Sequence, residues 1–556
     1  MTLLHRVIHR ASTPLAAHWP SAARRHLHRS AVARLAAGED HGLPSAASAR
    51  DRLRVCVVGA GPAGFYAAKY LLKEHEDVYV DMLEALPTPY GLVRSGVAPD
   101  HPEVKSVMND FEKVAAEPRF DFLGNVRVGE DVHLEELKAH YHAILLAYGA
   151  SADRTLGVPG EHLQGVHSAR AFVNWYNGHP AFRDLNPNLA VDTAVIFGQG
   201  NVAIDCARIL TKSVDELKTT DIAEHALEAL RQSKIKRVYV VGRRGSAQAA
   251  FTMKEIREIT KLDGVSCVVD PSDLEKSMND ASAQEIKEQR AKKRMHELLS
   301  KVAADVDKAR AVERQIHVKF LASPVELVAD AANPEHVGSL VADAANPEHV
   351  GSVRLEKTRL EGSANRQVAV GTGEHEELAC GLVLRSIGYK SEPIDDVPFH
   401  PTRHVVANEQ GRVVSPRSGE VIPGLYCAGW LKRGPSGIIG SNIVDSRETV
   451  ACIMEDASAN KLLSPSDDSQ GLASTVACIM EDASANKLLS PSDDSQGLAS
   501  VRHLVRSRQP EKPLVSWQDV ERLHGEEETR GATRGKPREK FTSVEEMLSL
   551  LTKSDH

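Results

Sequence analysis

The stretch LRVCVVGAGPAGFYAAKYLL, residues 53–72, decides the fold class. Its apolar first half suits a buried parallel strand, and Gly59, Gly61 and Gly64 then follow in G-x-G-x-x-G spacing. In a dinucleotide-binding turn the first glycine permits the tight turn, the second lets the backbone approach a pyrophosphate, and the third lets helix and strand pack closely. The helix that follows would direct its N-terminal N–H groups at the phosphates.

The next apolar run supports this interpretation. VYVDMLEA, residues 78–85, reads as the second strand and places Glu84 twenty residues after Gly64. A carboxylate at this position accepts hydrogen bonds from the ribose hydroxyls of a dinucleotide. The plainer alternative is a glycine turn followed by a surface glutamate. Because the adenosine ribose of FAD has a free 2′-hydroxyl, we predict an FAD site here.

The same plan recurs at TAVIFGQGNVAIDCARIL, residues 193–210. Gly198 and Gly200 hold the turn, Ala203 takes the third position, and Asp205 is predicted in the first helical turn. The second strand of this unit comes later than the usual spacing predicts, because a helical insertion over about 220–233 intervenes. We therefore predict a second nucleotide site.

That second strand, VYVVGRRG (238–245), ends in Arg243 and Arg244, where a nucleotide fold usually carries one carboxylate. Two guanidinium groups would attract the 2′-phosphate of NADP, with geometry that can be bidentate. The alternative is that they only cap a loop in solvent. We predict that this site takes NADPH and rejects NADH, and that hydride passes from nicotinamide to flavin, with the cofactors supplying the chemistry.

The remaining chain alternates between strand and helix patterns, which predicts an α/β fold with parallel sheets covered by helices on both faces. A polar helical region is predicted around 275–315, a strand-rich block over 378–430, and a last helix near VEEMLSLL. Two segments are duplicated without change: 327–339 recurs as 340–352, and 449–474 as 475–500. We predict both second copies to be looped-out surface insertions without function, so that Cys478 merely copies Cys452.

The charge is unevenly distributed. Residues 1–38 hold six arginines and no Asp, Glu or Lys, a composition typical of a mitochondrial transit peptide; a disordered basic tail is the alternative. Since the whole chain carries −8, residues 39–556 carry −14, and so acidic a body is a poor nucleic-acid binder. No apolar run approaches ~18 residues, so no membrane span is predicted.

The cysteine pattern argues against a dithiol of this chain as the electron acceptor. Seven cysteines include no CxxC or CxxxxC pair, which argues against a zinc site, a protein-bound iron–sulfur cluster and a redox dithiol. A diffusible acceptor is then expected. IKEQRAKKRMHELL, residues 286–299, reads as one helix and could receive an acidic protein, although a solvated charged face is the plainer interpretation. The residues expected on one face of that helix are Lys287, Arg290, Lys293 and Arg294.

Several longer motifs closely resemble the ferredoxin–NADP⁺ reductases of the adrenodoxin reductase type. They include YGLVRSGVAPDHPEVK, VHSARAFVNWYNG, VVGRRGSAQAAFTMKEIRE, GLYCAGWLKRGPSG and GKPREK, in order along the chain. The resemblance implies two Rossmann-like domains arranged as in glutathione reductase. The FAD domain would comprise 51–152 and 377–556, the NADP domain 153–376, with crossings at 147–151 and near 386–390.

The resemblance also implies an activity. NADPH would reduce FAD, and the electrons would pass singly to a mitochondrial [2Fe–2S] ferredoxin that serves cytochromes P450 and iron–sulfur assembly. The place of action would be the mitochondrial matrix, in solution or peripheral to the inner membrane. Two rival readings are a flavin oxidase or monooxygenase that delivers electrons to oxygen, and an inactive flavoprotein scaffold. The intact glycines and arginines of both turns speak against a scaffold.

Residue roles are implied by position in the matching motifs. Arg257, Arg290 and Arg294 would dock the ferredoxin. His101 and Asp205 would take part in proton handling; the alternatives are a satisfied interior histidine and a charge partner of a helix N-terminus. The implied FAD contacts are Ala63, Glu84, Leu92, Val128, Trp430 and Gly437–Ile439. The implied NADP contacts are Gln199, Gly200, Asn201, Val202, Arg243, Arg244 and Glu255, with Gly437 near the nicotinamide. A helix beginning at GPSGIIG would stabilise reduced flavin with its N-terminal dipole.

Overall fold

The computed structural model describes residues 53–330, 349–465 and 497–553. The transit-peptide prediction and Cys478 lie outside these ranges. The strands are β1 (Leu53–Val58), β2 (Val78–Leu83), β3 (Phe120–Leu123), β4 (Ala143–Leu146), β5 (Ala152–Asp153), β6 (Val166–Ser168), β7 (Thr193–Phe197), β8 (Arg237–Val241), β9 (Val265–Val268), β10 (Arg314–Lys319), β11 (Ala322–Ala329), β12 (Val350–Glu361), β13 (Val368–Ala379), β14 (Leu382–Arg385), β15 (Tyr389–Lys390), β16 (Phe399–His400), β17 (Val405–Val406), β18 (Asn408–Glu409), β19 (Arg412–Val414) and β20 (Val421–Cys427).

The helices agree with the predicted strand–helix alternation. They are α1 (Pro62–Glu74), α2 (Leu92–Ser95), α3 (Pro102–Lys105), α4 (Met108–Ala115), α5 (Leu134–Lys138), α6 (Ala169–Tyr176), α7 (Asn201–Thr211), α8 (Val214–Leu217), α9 (Glu224–Arg231), α10 (Met253–Ile259), α11 (Pro271–Lys276), α12 (Asp280–Glu288), α13 (Arg290–Ala304), α14 (Val306–Arg310), α15 (Trp430–Arg433), α16 (Ser441–Ser458), α17 (Leu498–Arg508), α18 (Trp517–Ala532) and α19 (Val544–Thr552). The predicted helical insertion before β8 is α9, and the predicted last helix is α19.

Sheet A contains seven strands in the order β18-β19-β20-β4-β1-β2-β3. The strands from β20 to β3 run parallel, and β18 and β19 add an antiparallel edge. Apolar clusters cover both of its faces. Successive residues of β1 and its neighbours point to opposite faces and are apolar on both, and helices pack against each face. Helices α18 and α19 contribute to one of these clusters, which places the C-terminal segment in the sheet A domain.

Sheet B contains six parallel strands in the order β6-β14-β7-β8-β10-β9. The predicted boundary at 376/377 is wrong for β14, because this strand pairs with β6 and β7 in sheet B. The chain therefore returns to the sheet A domain beyond β14, in the segment 386–390 where the second crossing was expected. There β15 pairs antiparallel with β5, so both connections between the domains run side by side.

A third, antiparallel sheet of β11, β12 and β13, here sheet C, was not predicted. Its outer strand, VAVGTGEHEELA, is mostly exposed and charged, so it lacks the apolar run by which a buried strand is recognised. Its charges also suit an edge strand, since they discourage pairing with another chain. The sheet packs through β12 against the end of β8.

The expectation that both second copies are wholly looped out is wrong for their C-terminal residues, which belong to a strand in one case and a helix in the other. The second copy of the 13-residue duplication supplies residues 350–352, which begin β12, while the first copy supplies 327–329, which end β11. Likewise residues 498–500 begin α17, and the first copy of the longer duplication supplies the second half of α16. In each duplication, the first copy forms the end of the preceding element and the second copy forms the start of the following one.

Deletion of residues 340–352 is therefore expected to leave sheet C intact. The remaining copy contains both the end of β11 and the start of β12, joined by DAANPEH. Because closure entropy changes only slowly with loop length, the melting temperature should move by no more than a few degrees. Differential scanning calorimetry of the deleted and full chains measures this. Loss of folded protein on deletion would contradict the shared use of the two copies.

Candidate active site

The first glycine turn lies between β1 and α1, and its three glycines differ in their surroundings. Gly59 has a φ of +106°, and a Cβ there would lie 2.7 Å from the Tyr148 Cα. A Cβ on Gly64 would lie 2.1 Å from the Gly59 carbonyl oxygen, whereas one on Gly61 would meet no heavy atom within 4 Å. The turn thus has close packing at its first and third glycines and open space at the second, as a bound pyrophosphate requires.

Glu84 faces this turn from the end of β2. Its carboxylate accepts hydrogen bonds from the N–H groups of Ala60 at 2.8 Å and Leu86 at 3.2 Å. Burial raises the pKa of the Glu84 carboxyl, and these backbone donors oppose that rise. The donors fix the carboxylate beside the turn, and each oxygen keeps acceptor capacity for a ribose hydroxyl.

Other predicted FAD contacts surround the same edge of sheet A. Leu92 begins α2 directly after Gly91, whose Cβ would lie 3.2 Å from the Gly61 Cα. Val128 is buried in the apolar cluster that contains the ends of β1 and β2. The backbone carbonyl of Ala63 accepts a hydrogen bond from Ser446 Oγ at 3.0 Å, which ties α16 to the first turn of α1. The structure brings these residues together.

The segment from Trp430 to Ile439 completes this edge. The Trp430 ring lies 5.5 Å from the Tyr389 ring, next to the crossing between the domains. Gly437 has a φ of +84°, and the N–H of Ile438 donates to Ser441 Oγ at 3.0 Å. Ile438 is 67% exposed. As predicted, a helix, α16, follows directly.

The second glycine turn, between β7 and α7, repeats the first. Gly198 has a φ of +119°, and its Cβ would lie 2.0 Å from the Ser386 carbonyl oxygen, whereas a Cβ on Gly200 would meet nothing within 4 Å. Gln199 Nε2 donates to the Lys319 carbonyl oxygen at 2.9 Å, and the Thr252 N–H donates to Asn201 Oδ1 at 2.8 Å. These side chains anchor the turn to β10 and α10. Val202, in the first turn of α7, is partly exposed.

Arg243 and Arg244 are both exposed at the end of β8. Within the described ranges no carboxylate pairs with either guanidinium group. Their backbone is held firmly, because Thr358 Oγ1 donates to the Arg243 carbonyl at 2.7 Å and the Leu321 N–H donates to that of Arg244 at 3.2 Å. Sheet C thus supports a fixed turn that presents two unpaired cations.

A buried ionic cluster around Arg208 joins the two domains. The guanidinium is fully buried and contacts both Asp100 oxygens at 2.7 and 3.0 Å, Asp205 at 2.8 Å, Glu255 at 3.3 Å and Glu258 at 3.4 Å. Asp205 was expected in the first turn of its helix, but it is the fifth residue of α7 and pairs with Arg208. Burial raises the pKa of Asp205 to about 6, although Arg208 opposes the rise.

His101 belongs to the same cluster. Its Nε2 lies 2.8 Å from Glu258 Oε2, a contact between α10 and the residue that precedes α3. Burial is the largest influence on the pKa of His101 and lowers it, but the hydrogen bond to Glu258 and the negative charges of Glu258 and Asp100 together raise it by more, so the net direction is upward. A cavity of about 540 Å³ opens beside this pair. Its lining residues are Asp100, His101, Glu103, Lys254, Arg257, Glu258 and Lys261.

Comparison with known proteins agrees with this geometry. Residues 53–272 match the family model described as pyridine nucleotide-disulphide oxidoreductase. The chain is 44% identical over 512 residues to the mitochondrial NADPH:adrenodoxin oxidoreductase of Arabidopsis thaliana, which covers 91% of this chain and 96% of that one. It is also 44% identical over 508 residues to the Bos taurus protein of the same name, covering 90% and 92%.

The chain belongs to the NADPH:adrenodoxin oxidoreductase family. Among solved structures, Mycobacterium tuberculosis FprA in complex with NADPH matches with a TM-score of 0.75 and 38% identity, covering 90% of this chain and 99% of that one. The predicted α/β fold with two dinucleotide-binding domains and the family resemblance are both confirmed.

In this family member the three predicted docking arginines are all exposed. The single helix predicted over 286–299 is wrong, because Gln289 has extended backbone (φ −116°, ψ 104°) and separates α12 from α13. Lys287 therefore lies on a different helix from Arg290, Lys293 and Arg294. These three share one face of α13, and within the described residues no acidic group pairs with them or with Arg257.

Sequence reasoning missed Asp100 and Arg208, the two residues at the centre of the junction. Both stand inside motifs that carry the family resemblance, APDHP and DCARIL, but 108 positions separate them. An arginine in a largely apolar helix was the available signal, since a buried charge requires partners. The sequence could not name those partners, because they come from three different segments: the residues before α3, α7 itself and α10.

Proposed function

We propose that this protein transfers electrons from NADPH, through FAD, singly to a mitochondrial [2Fe–2S] ferredoxin of the adrenodoxin type. One observation carries the proposal: two glycine turns stand in one chain, one facing the carboxylate of Glu84 and the other two unpaired arginines. Such a chain distinguishes a ribose with a free 2′-hydroxyl from one with a 2′-phosphate. The Arabidopsis thaliana and Bos taurus relatives are named as mitochondrial proteins, and the proposed place of action is the matrix.

FAD is assigned to the edge of sheet A. Gly61 leaves room for its pyrophosphate, Glu84 accepts from its ribose hydroxyls, and Gly59 and Gly64 hold the turn. FAD supplies the conversion between two-electron and one-electron transfer. The other proposed contacts are Ala63, Leu92, Val128, Trp430, Gly437, Ile438 and Ile439. The exposed Ile438 would be covered by the flavin, and the N-terminus of α16 favours negative charge there.

NADP is assigned to the second turn. Arg243 and Arg244 bind the 2′-phosphate, and Gly200, with the free N–H groups of Asn201 and Val202, receives the pyrophosphate. Gln199 and Glu255 are proposed further contacts. His101 Nε2 and Glu258 Oε2 are close enough to share a proton, and we assign His101 and Asp205 a role in proton balance between the two sites.

The ferredoxin is proposed to dock on α10 and α13, through Arg257, Arg290 and Arg294. An acidic surface on the ferredoxin complements these exposed cations, and the contact would depend on salt because rim charges act through solvent. Downstream partners would be mitochondrial cytochromes P450 and iron–sulfur assembly. No helix among the described residues is long and apolar enough to cross a membrane.

The test is cytochrome c reduction by protein that lacks residues 1–38, with NADPH or NADH, and with or without a mitochondrial [2Fe–2S] ferredoxin. Strong reduction should need both NADPH and the ferredoxin. Arg257→Glu, Arg290→Glu and Arg294→Glu together should raise the KM for ferredoxin by about 100-fold or more, since like charges then oppose docking. Ferricyanide reduction by NADPH, which needs no docking, should stay unchanged.

Arg231→Glu is the matched control, because this arginine is also exposed and unpaired within the described residues but lies on α9. It should alter neither activity. Equal NADPH consumption without ferredoxin would instead favour a flavin oxidase, and an unchanged ferredoxin KM in the triple variant would contradict the docking surface.

A further inference from the structure

The C-terminal strap, defined as residues 533–541 after α18, runs from the sheet A domain onto the sheet B domain. Lys536 Nζ donates to the Ile222 carbonyl oxygen at 2.7 Å, and the Glu224 N–H donates to Glu539 Oε1 at 3.2 Å. Lys540 Nζ donates to the Asn177 carbonyl oxygen at 3.1 Å. On the sheet B domain, the strap therefore contacts the end of α6 and the start of the helical insertion that precedes β8.

The same part of the strap is also fixed to the sheet A domain, through α18 and the helix that begins at Leu92. Glu527, on α18, is fully buried. Its carboxylate accepts two hydrogen bonds from Arg94 of α2, one from Arg538 at 3.3 Å and one from the Phe541 N–H at 3.0 Å. The proposed FAD edge and the strap therefore share one buried carboxylate.

Asp221 links all three parts. Lys105 of α3 donates to both of its oxygens at 2.7 Å, and Lys540 of the strap lies 2.9 Å from one of them. All three residues are at least 92% buried. Removing one partner from such a group leaves an uncompensated buried charge, which is strongly unfavourable. This group and the Arg208–Asp100 pair are thus two buried ionic contacts between the domains.

We propose that Asp221, Lys105 and Lys540 are positioning residues that fix the sheet B domain against the sheet A domain, so that the nicotinamide site faces the flavin site. The inference rests on the proposed function, since it assigns the strap to the geometry of hydride transfer. Reacting atoms must lie about 3–3.5 Å apart, and a misplacement of about 1 Å can cost about 100-fold in rate. A merely stabilising strap would not affect this rate in folded, FAD-containing protein.

The experiment compares wild type, Asp221→Asn and Lys540→Met with the control Asp456→Asn. Asp456 is as buried as Asp221, at 8% exposure each, but its partners Arg412 and Tyr426 both lie in the sheet A domain. Two quantities are measured on the FAD-containing proteins. One is the number of calorimetric unfolding transitions, and the other is the rate at which saturating NADPH bleaches the flavin.

Wild type and Asp456→Asn should unfold in one transition and bleach at similar rates. Asp221→Asn should unfold in two, because its domains no longer unfold together, and its bleaching should slow about tenfold or more. Lys540→Met, which retains the Lys105–Asp221 pair, should slow bleaching less and speed hydrogen exchange at 221–224. If Asp221→Asn does not fold, the same two measurements on Lys540→Met test the proposal.

A single transition and wild-type bleaching in both variants would overturn the inference, as would equal slowing in Asp456→Asn. If NADPH fails to bleach wild type itself, the proposed function fails, whereas the calorimetric comparison still decides whether Asp221 couples the domains. The two failures are therefore distinguishable.

Discussion

Replacing Arg243 and Arg244 by alanine should lower kcat/KM for NADPH by about 100-fold or more, because each charge-assisted hydrogen bond to a phosphate contributes about 1.5–3 kcal/mol. NADH lacks the 2′-phosphate, so its kcat/KM should change little, and the preference for NADPH should largely disappear. Both side chains are exposed, and their turn is held by backbone contacts to Thr358 and Leu321, so the fold should be unaffected.

Steady-state ferricyanide reduction with each coenzyme measures this effect without involving ferredoxin. Arg231→Ala is the control, since it removes an equally exposed guanidinium from the same domain. An unchanged ratio of the two coenzymes in the double variant would show that the arginine turn does not bind the phosphate, and NADP would have to be assigned elsewhere.

Alanine at Gly64 and alanine at Gly61 should both remove FAD, but for different reasons. A Cβ at Gly64 would lie 2.1 Å from the Gly59 carbonyl oxygen, so strand and helix must separate. Overpacking against backbone costs about 1–3 kcal/mol or more, and the variant should lose stability even without cofactor. Gly61 has open space around its Cβ position and an ordinary φ, so its alanine variant should remain stable and lose FAD only.

The ratio of FAD to protein, from absorbance, and guanidinium unfolding of the FAD-free proteins separate the two cases. The expected pattern is low FAD in both variants, with a lowered unfolding midpoint in Gly64→Ala alone. A normal FAD content in Gly61→Ala would contradict the assignment of the pyrophosphate to the open side of the first turn.

These two turns could be predicted from sequence because their geometry is local. Gly59, Gly61 and Gly64 lie within six positions, and the close contact of Gly64 is with Gly59 of the same turn, although Gly59 itself packs against the distant Tyr148. The same holds for Arg243 and Arg244, whose place at the end of β8 follows from the strand pattern alone. Family membership extended the prediction to Trp430 and to the segment 437–439, whose contacts with a cofactor stay a proposal.

What could not be predicted depends on distant partners. Arg208 is satisfied by carboxylates on α7, on α10 and before α3, and no spacing rule relates these segments. The break at Gln289 was missed because a charged helical pattern continues through it, whereas its side chain donates to the distant Asn365 Oδ1 at 2.7 Å. Sheet C was missed because β13 is an exposed edge strand. Its residues are largely polar on both faces, so it lacks the alternation of apolar and polar residues that predicts a strand.

The pairing of β5 with β15 makes the inserted domain a transferable unit. Asp153 lies opposite Tyr389 and Ala152 opposite Lys390, so both junctions sit on adjacent strands about 5 Å apart. A segment from 153 to 389 can therefore be exchanged, by two splices at one place, with that of a relative that keeps Arg208 and Asp221, the partners of buried groups outside the segment. Arg243 and Arg244 lie inside the exchanged segment and Glu84 lies outside it. Such a chimera would therefore take its preference for NADPH or NADH from the protein that donates the segment, and its FAD site from the protein that receives it. Insertion or exchange of a whole coenzyme-binding domain during evolution would need breaks at only these two positions.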